Sequence, residues 1–190
     1  MEDTVTIVSG LPRSGTSMMM RMLSAGGIEV VVDDVRKADA DNPVGYFEFE
    51  QVKKTREDAS WLAGAGGKAV KMVSKLLYDL PARYRYKVIF MRRNMEEVLK
   101  SQRKMLERRG VQDASNDEDM ARFFRKHLAD VEEWLRAQPH MDVLYVDYGE
   151  AVAEPAKSAR AVNAFLGGRL DAGRMAAAVD GSLYRNRSQA

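Results

Sequence analysis

Gly10-Leu11-Pro12-Arg13-Ser14-Gly15-Thr16-Ser17 follows the apolar run Val5-Thr6-Ile7-Val8 and precedes a methionine-rich segment of helical character. The three pieces read as a strand, a glycine-bounded loop and a helix start. Such a loop turns successive backbone N–H groups inward, and the helix N-terminus adds a partial positive charge, so the nest suits a phosphate. The spacing is that of a P-loop, G-x-x-x-x-G-K-[ST], with one departure: Thr16 stands where the lysine belongs. The cation has moved into the loop, to Arg13.

Outward from this loop, strand-like runs occur at residues 4–9, 28–32, 68–72, 86–91 and 142–146. Most are continuously apolar, as expected for strands buried on both faces of a parallel sheet. Helical stripes alternate with them. Met95, Val98, Leu99, Met105 and Leu106 form one, and Met120, Phe123, Phe124, Leu128, Val131, Trp134 and Leu135 a longer one with Asn116 or Asp117 as N-cap. Pro155 suits the first turn of a further helix that Gly167-Gly168 ends. The pattern predicts an α/β fold, a P-loop-type three-layer sandwich around a mostly parallel central sheet of about five strands, with residues 1–190 as a single domain. Ligands then bind at the carboxyl ends of the strands. The polar segments 32–45 and 109–119 read as connections or as lids over that end.

Composition narrows the classes. The 190 residues are 45% hydrophobic and 31% charged, with a net charge of +2, too small to suggest nucleic-acid binding. With no cysteine, disulfides, thiolate nucleophiles and cysteine metal sites are excluded. No apolar run is long enough for a membrane span, and Met1-Glu2-Asp3-Thr4 does not read as a signal peptide. A cytoplasmic location fits these features.

The anion can be narrowed further. A nucleoside triphosphate loop needs its lysine and a strand-end carboxylate for Mg²⁺. The lysine is absent, although Val143-Leu144-Tyr145-Val146-Asp147 has the form of the second element, so a P-loop kinase using Mg-ATP stays open. The fourth predicted strand runs instead into Arg92-Arg93-Asn94, and Ser101 lies two turns into the helix that follows. Guanidinium and hydroxyl suit a phosphate. A second anion site, separate from the loop, points to a nucleotide phosphorylated at two positions; the alternative is two surface arginines and an incidental helix serine.

Pro12-Arg13-Ser14-Gly15-Thr16-Ser17 resembles the 5′-phosphosulfate loop of the sulfotransferases that use 3′-phosphoadenosine 5′-phosphosulfate (PAPS), and Arg93 with Ser101 resembles their 3′-phosphate site. Asp147-Tyr148-Gly149-Glu150, then Glu154-Pro155 and Phe165-Leu166-Gly167, is similar to their Tyr-Glu-Asp, Asp-Pro and Phe-Leu-Gly region, with Tyr148 in place of the tyrosine. Asn42-Pro43-Val44-Gly45-Tyr46-Phe47-Glu48 is similar to a segment of small bacterial sulfotransferase-like proteins. The resemblance implies transfer of a sulfuryl group from PAPS to a hydroxyl or amine of a small-molecule, glycan or lipid acceptor, releasing PAP without an obligatory metal. It makes Pro12, Arg13, Ser14, Gly15, Thr16, Ser17, Arg93, Ser101 and Tyr148 cofactor-binding residues. Arg185, beside Tyr184 and Arg187, would close over the 3′-phosphate as basic C-terminal segments do in that family. Lys71 matches the lysine of the family's Lys-Thr-His and would approach the sulfuryl oxygens.

The base is where the chain departs from the family. Val73 stands where cytosolic members place histidine. His127 falls on an apolar helix stripe and reads as structural, and His140 precedes its strand, at the wrong end of a parallel sheet. A carboxylate remains. Glu48 is the first candidate because aromatic neighbours would shield it from water; Asp34 is the second, with Asp33 beside it and Glu50 behind. The bland reading of Glu48 is a first-turn acid of the following helix. Met18-Met19-Met20-Arg21-Met22 reads as core packing. Lys100, Arg103, Lys104, Arg108 and Arg109 read as a solvated face, or as a surface that recruits an acidic acceptor. A nucleotide-binding protein without catalysis is the third functional class.

Overall fold

The apolar run at 5–8 lies at the centre of the computed structural model, which describes residues 4–33, 35, 45–108, 110 and 116–184, of Leu183 only the backbone. Strand β1 (Thr4–Gly10) lies between β2 (Ala69–Lys71) and β3 (Arg85–Arg92), and β4 (Met141–Asp147) pairs with the far side of β3. Every pairing is parallel. Parallel neighbours need long crossovers, and helices supply most of them. Helix α1 (Thr16–Ala25) follows β1; α2 (Met95–Arg108) and α3 (Asp117–Arg136) connect β3 to β4; α4 (Tyr148–Ala153), α5 (Pro155–Phe165) and α6 (Ala172–Ala177) follow β4. Three 3₁₀ turns, Glu50–Lys54, Ser60–Gly64 and Ser74–Asp79, flank β2 in sequence.

Alternation along the strands makes the layers. Val5 and Ile7 of β1, with Val88 and Phe90 of β3, pack against Val131 and Leu135 of α3 and against Val52, Leu62 and Leu77 of the 3₁₀ turns. Val8, Ile89 and Met91 point to the other face, onto Met19, Met22 and Leu23 of α1, Val162 of α5 and Met175 of α6. Both faces are covered, which is why the strands read as unbroken apolar runs. The result is the expected α/β sandwich.

The count of about five strands needs correction. Residues 28–32 form a single parallel bridge, Val30 to Ala69, through Val31 N–H to the Ala69 carbonyl (2.9 Å) and Ala69 N–H to the Glu29 carbonyl (2.8 Å). Their partner β2 has only three residues, and the chain then turns away at Asp33. That carboxylate accepts from the N–H groups of Val35 (3.1 Å) and Glu50 (2.5 Å). Among the described residues the sheet therefore has four strands and an edge bridge. The predicted lid segments 32–45 and 109–119 fall mostly outside the described residues.

Candidate functional site

Parallel strands bring the loop after β1, Lys71 at the end of β2, Arg93 after β3 and Tyr148 after β4 to one edge of the sheet. The loop closes tightly there. A Cβ on Gly10 would lie 2.6 Å from the Met91 carbonyl and 2.6 Å from Ser14 Oγ; one on Gly15 would lie 2.3 Å from Cδ2 of Tyr148. Gly15 sits in the left-handed region (φ 99) as N-cap of α1, supplies no side-chain cap, and no acid occupies the first turn. Among the described residues, the N-cap and first turn thus supply no side-chain cap to the opening N–H groups of this ten-residue helix, which suits an anion.

Arg13 organises the loop. Its own backbone is left-handed (φ 69), and its Nε donates to Ser101 Oγ at 2.9 Å. Arg93 donates from Nη1 to the Arg13 carbonyl (3.1 Å) and from Nε to Glu97 Oε2 (2.9 Å). The Arg93 side chain is 8% exposed and that of Glu97 only 3%. The guanidinium lies over the Tyr148 ring, 4.4 Å from its centroid, and the Tyr184 ring, packed beside Tyr148, has its centroid 5.3 Å away. The loop and the Arg93/Ser101 pair, separate anion-site candidates in the sequence, are therefore contiguous, joined through Arg13. Burial pushes the Tyr148 phenol up, with Arg93 opposing it most; burial followed by the hydrogen bond to Glu97 pushes Tyr184 up to about 12. Tyr184 is accordingly a neutral donor at ordinary pH.

The second half of the site gathers round Lys71. Its Nζ donates to the Tyr46 carbonyl, lies 3.4 Å from Ser17 Oγ, and faces Glu48 Oε1 at 3.7 Å. Ser17 also donates to the Tyr46 carbonyl (3.3 Å). Phe47, between Tyr46 and Glu48, is left-handed (φ 51). Among the described residues, Arg13 and Phe47 are the non-glycine residues with positive φ, and both border this site.

The remaining candidates divide. Pro12 is exposed, while Gly15, Thr16 and Ser17 are half-buried at the helix start. Ser14 is turned inward: it is 1% exposed, and its hydroxyl has no partner among the described residues. Arg92 alternates to the opposite face, where it makes a bidentate pair with Glu132 of α3 (3.0 and 2.6 Å). Asp147, the magnesium ligand a kinase would require, caps α4 through Glu150 N–H (3.0 Å). His127 meets the buried Ser74 hydroxyl at 2.8 Å, and burial lowers its pKa, against Asp130, which raises it. His140 lies beside Tyr86 at the amino end of the sheet. Asp34 and Arg185 lie outside the described residues. Glu97 was not singled out from sequence, although its place four residues after Arg93 at a helix start was a usable signal. The Tyr46 carbonyl left no signal at all.

A family model for the sulfotransferase domain matches residues 3–189. The fold is shared with the sulfotransferase domain from the curacin biosynthetic pathway (TM-score 0.61, 14% identity, 95% of this chain and 89% of that one). It is shared too with the sulfotransferase domain of the Synechococcus PCC 7002 olefin synthase (TM-score 0.56, 14% identity, 98% and 80%). Mouse sulfotransferase SULT7A1, solved in complex with PAP, aligns at TM-score 0.58 and 17% identity over 100% of this chain and 69% of that one. Comparison with curated protein sequences finds no match.

Proposed function

The chain belongs to the sulfotransferase domain family, and on that premise we propose that its strand-end site transfers a sulfuryl group from PAPS to a hydroxyl or amine acceptor and releases PAP. The observation that carries this is the convergence of Arg13, Arg93 and Ser101 beside the open N-terminus of α1. In this reading the whole chain acts as one domain. The loop N–H groups, Gly15 to Ser17 and Arg13 receive the 5′-phosphate, while Arg93, stacked on Tyr148, and Ser101 receive the 3′-phosphate. Pro12 and Ser14 shape the loop, and Arg185 is the candidate to close over the 3′-phosphate.

The chemistry asks little of the protein beyond placement. As the acceptor oxygen or nitrogen bonds to sulfur, the bond from sulfur to the 5′-phosphate oxygen breaks and charge builds on that phosphate. Arg13 and the helix N-terminus neutralise it as it forms. Lys71, near Ser17 at the same helix start, would approach the oxygens of the transferred sulfuryl group. Glu48 takes the acceptor proton, its carboxylate oriented by Lys71 at 3.7 Å; Asp34 is the second candidate. Asp33 is engaged in holding backbone N–H groups and is not proposed. The acceptor is a small molecule, a glycan or a lipid. No helix among the described residues is long and apolar enough to cross a membrane.

Calorimetry with PAP and, separately, Mg-ATP tests the donor. PAP is expected to bind without added metal. Metal-dependent ATP binding with no affinity for PAP would overturn the proposal in favour of a kinase.

A further inference from the structure

The Arg93–Glu97 pair is nearly sealed from solvent, and a carboxylate buried there needs both oxygens satisfied. Oε2 accepts from Arg93 Nε at 2.9 Å. Oε1 accepts from the hydroxyl of Tyr184 at 2.8 Å, from a residue 87 positions away. The Tyr184 ring meets Tyr148 edge-on (4.9 Å, 80°), so the two phenols stand side by side against the guanidinium. An unbroken chain of contacts thus runs from Tyr184 through Glu97 and Arg93 to the Arg13 carbonyl of the loop.

Arg93 and Glu97 cancel in charge. The pair therefore offers an incoming phosphate directed N–H groups rather than net positive potential, and its value depends on orientation. Nε and Nη1 are held by Glu97 and by the loop, and Nη2 has no hydrogen-bond partner among the described residues. What fixes the direction of Nη2 is whatever fixes Glu97. We propose that Tyr184 is a positioning residue for the 3′-phosphate: its hydroxyl clamps Glu97, and through Glu97 it aims Arg93. The inference rests on PAP being the bound product, as proposed above, and assigns a binding task to the C-terminal segment through a phenol.

Tyr184→Phe keeps the ring and removes the clamp. Calorimetry with PAP and with adenosine 5′-phosphate, which lacks the 3′-phosphate, reads the result. The variant is expected to bind PAP about tenfold more weakly, the loss of one hydrogen bond to a charged group, while its affinity for adenosine 5′-phosphate stays within about twofold of wild type. Unchanged PAP affinity in Tyr184→Phe, or equal losses for the two nucleotides, overturns the positioning role while leaving the donor assignment intact. A wild-type chain that binds adenosine 5′-phosphate as tightly as PAP overturns the 3′-phosphate site itself, and the inference with it.

Discussion

Arg13 and Phe47 hold left-handed backbones that their side chains disfavour, at a cost on the order of 1 kcal/mol each. Such conformations persist when neighbours over-determine them. The Arg13 carbonyl is held by Arg93 and its guanidinium by Ser101; Tyr46, next to Phe47, lends its carbonyl to Lys71 and Ser17. The strained residues are thus part of how the loop and the Glu48 segment are aimed at one another. At this scale the decisive prediction concerns Glu48. Glu48→Gln keeps the size of the side chain and removes its basicity, so turnover with PAPS and a competent acceptor is expected to fall at least about a hundredfold. PAP affinity measured on the same protein is expected to hold. Unchanged turnover would move the proton acceptor away from Glu48. As candidates the residues themselves were legible in the sequence, whose motifs single out Arg13, Arg93, Ser101, Lys71 and Glu48. Their contacts were not, because Arg13 to Ser101 spans 88 positions and Lys71 to Ser17 spans 54.

Helix α3 shows how far a periodic pattern carries. Its sequence periodicity puts both Phe123 and Phe124 on the apolar stripe, yet Phe124 is 8% exposed and Phe123 is 64% exposed. Successive helix positions differ by about 100°, so a narrow buried face takes only one of two neighbours. Phe124 is in step with Leu128, Val131 and Leu135, and it packs with Leu11 and Val98 beside the loop. Phe124→Ala is therefore expected to destabilise the fold by about 3 kcal/mol, and Phe123→Ala by no more than about 0.5 kcal/mol. Urea denaturation compares them, and similar costs would mean that the helix is rotated from the face described. The edge segment at 28–32 makes the complementary point. Its valines were a fair strand signal, but β2 offers it only three residues, and Asp33 draws the chain away to the turn at Glu50. Strand identity there was decided by the neighbour.

Across the whole molecule, one edge of a four-stranded parallel sheet collects the loop, Lys71, Arg93 and Tyr148, and the C-terminal Tyr184 returns to the same edge. A ligand that bridges these pieces stabilises the native state in proportion to its occupancy. PAP at about a hundred times its dissociation constant should add about 2.7 kcal/mol and raise the melting temperature by about 5 to 10 °C. Thermal scans with and without PAP check this, and an unshifted transition would mean that the pieces do not share one ligand. By itself the sequence determined the α/β alternation, the loop with its displaced cation, and the ordered motifs that resemble the sulfotransferases. These are local signals, written in spacing and side-chain period. Only the tertiary structure decided that Arg13 touches both Ser101 and Arg93, that Glu97 sits buried between Arg93 and Tyr184, that Lys71 faces Glu48, and that Asp147 caps a helix. Each of those facts depends on where a side chain ends after the chain has folded past residues that are distant in sequence, and hydrophobic periodicity reports which face is buried, not what it meets.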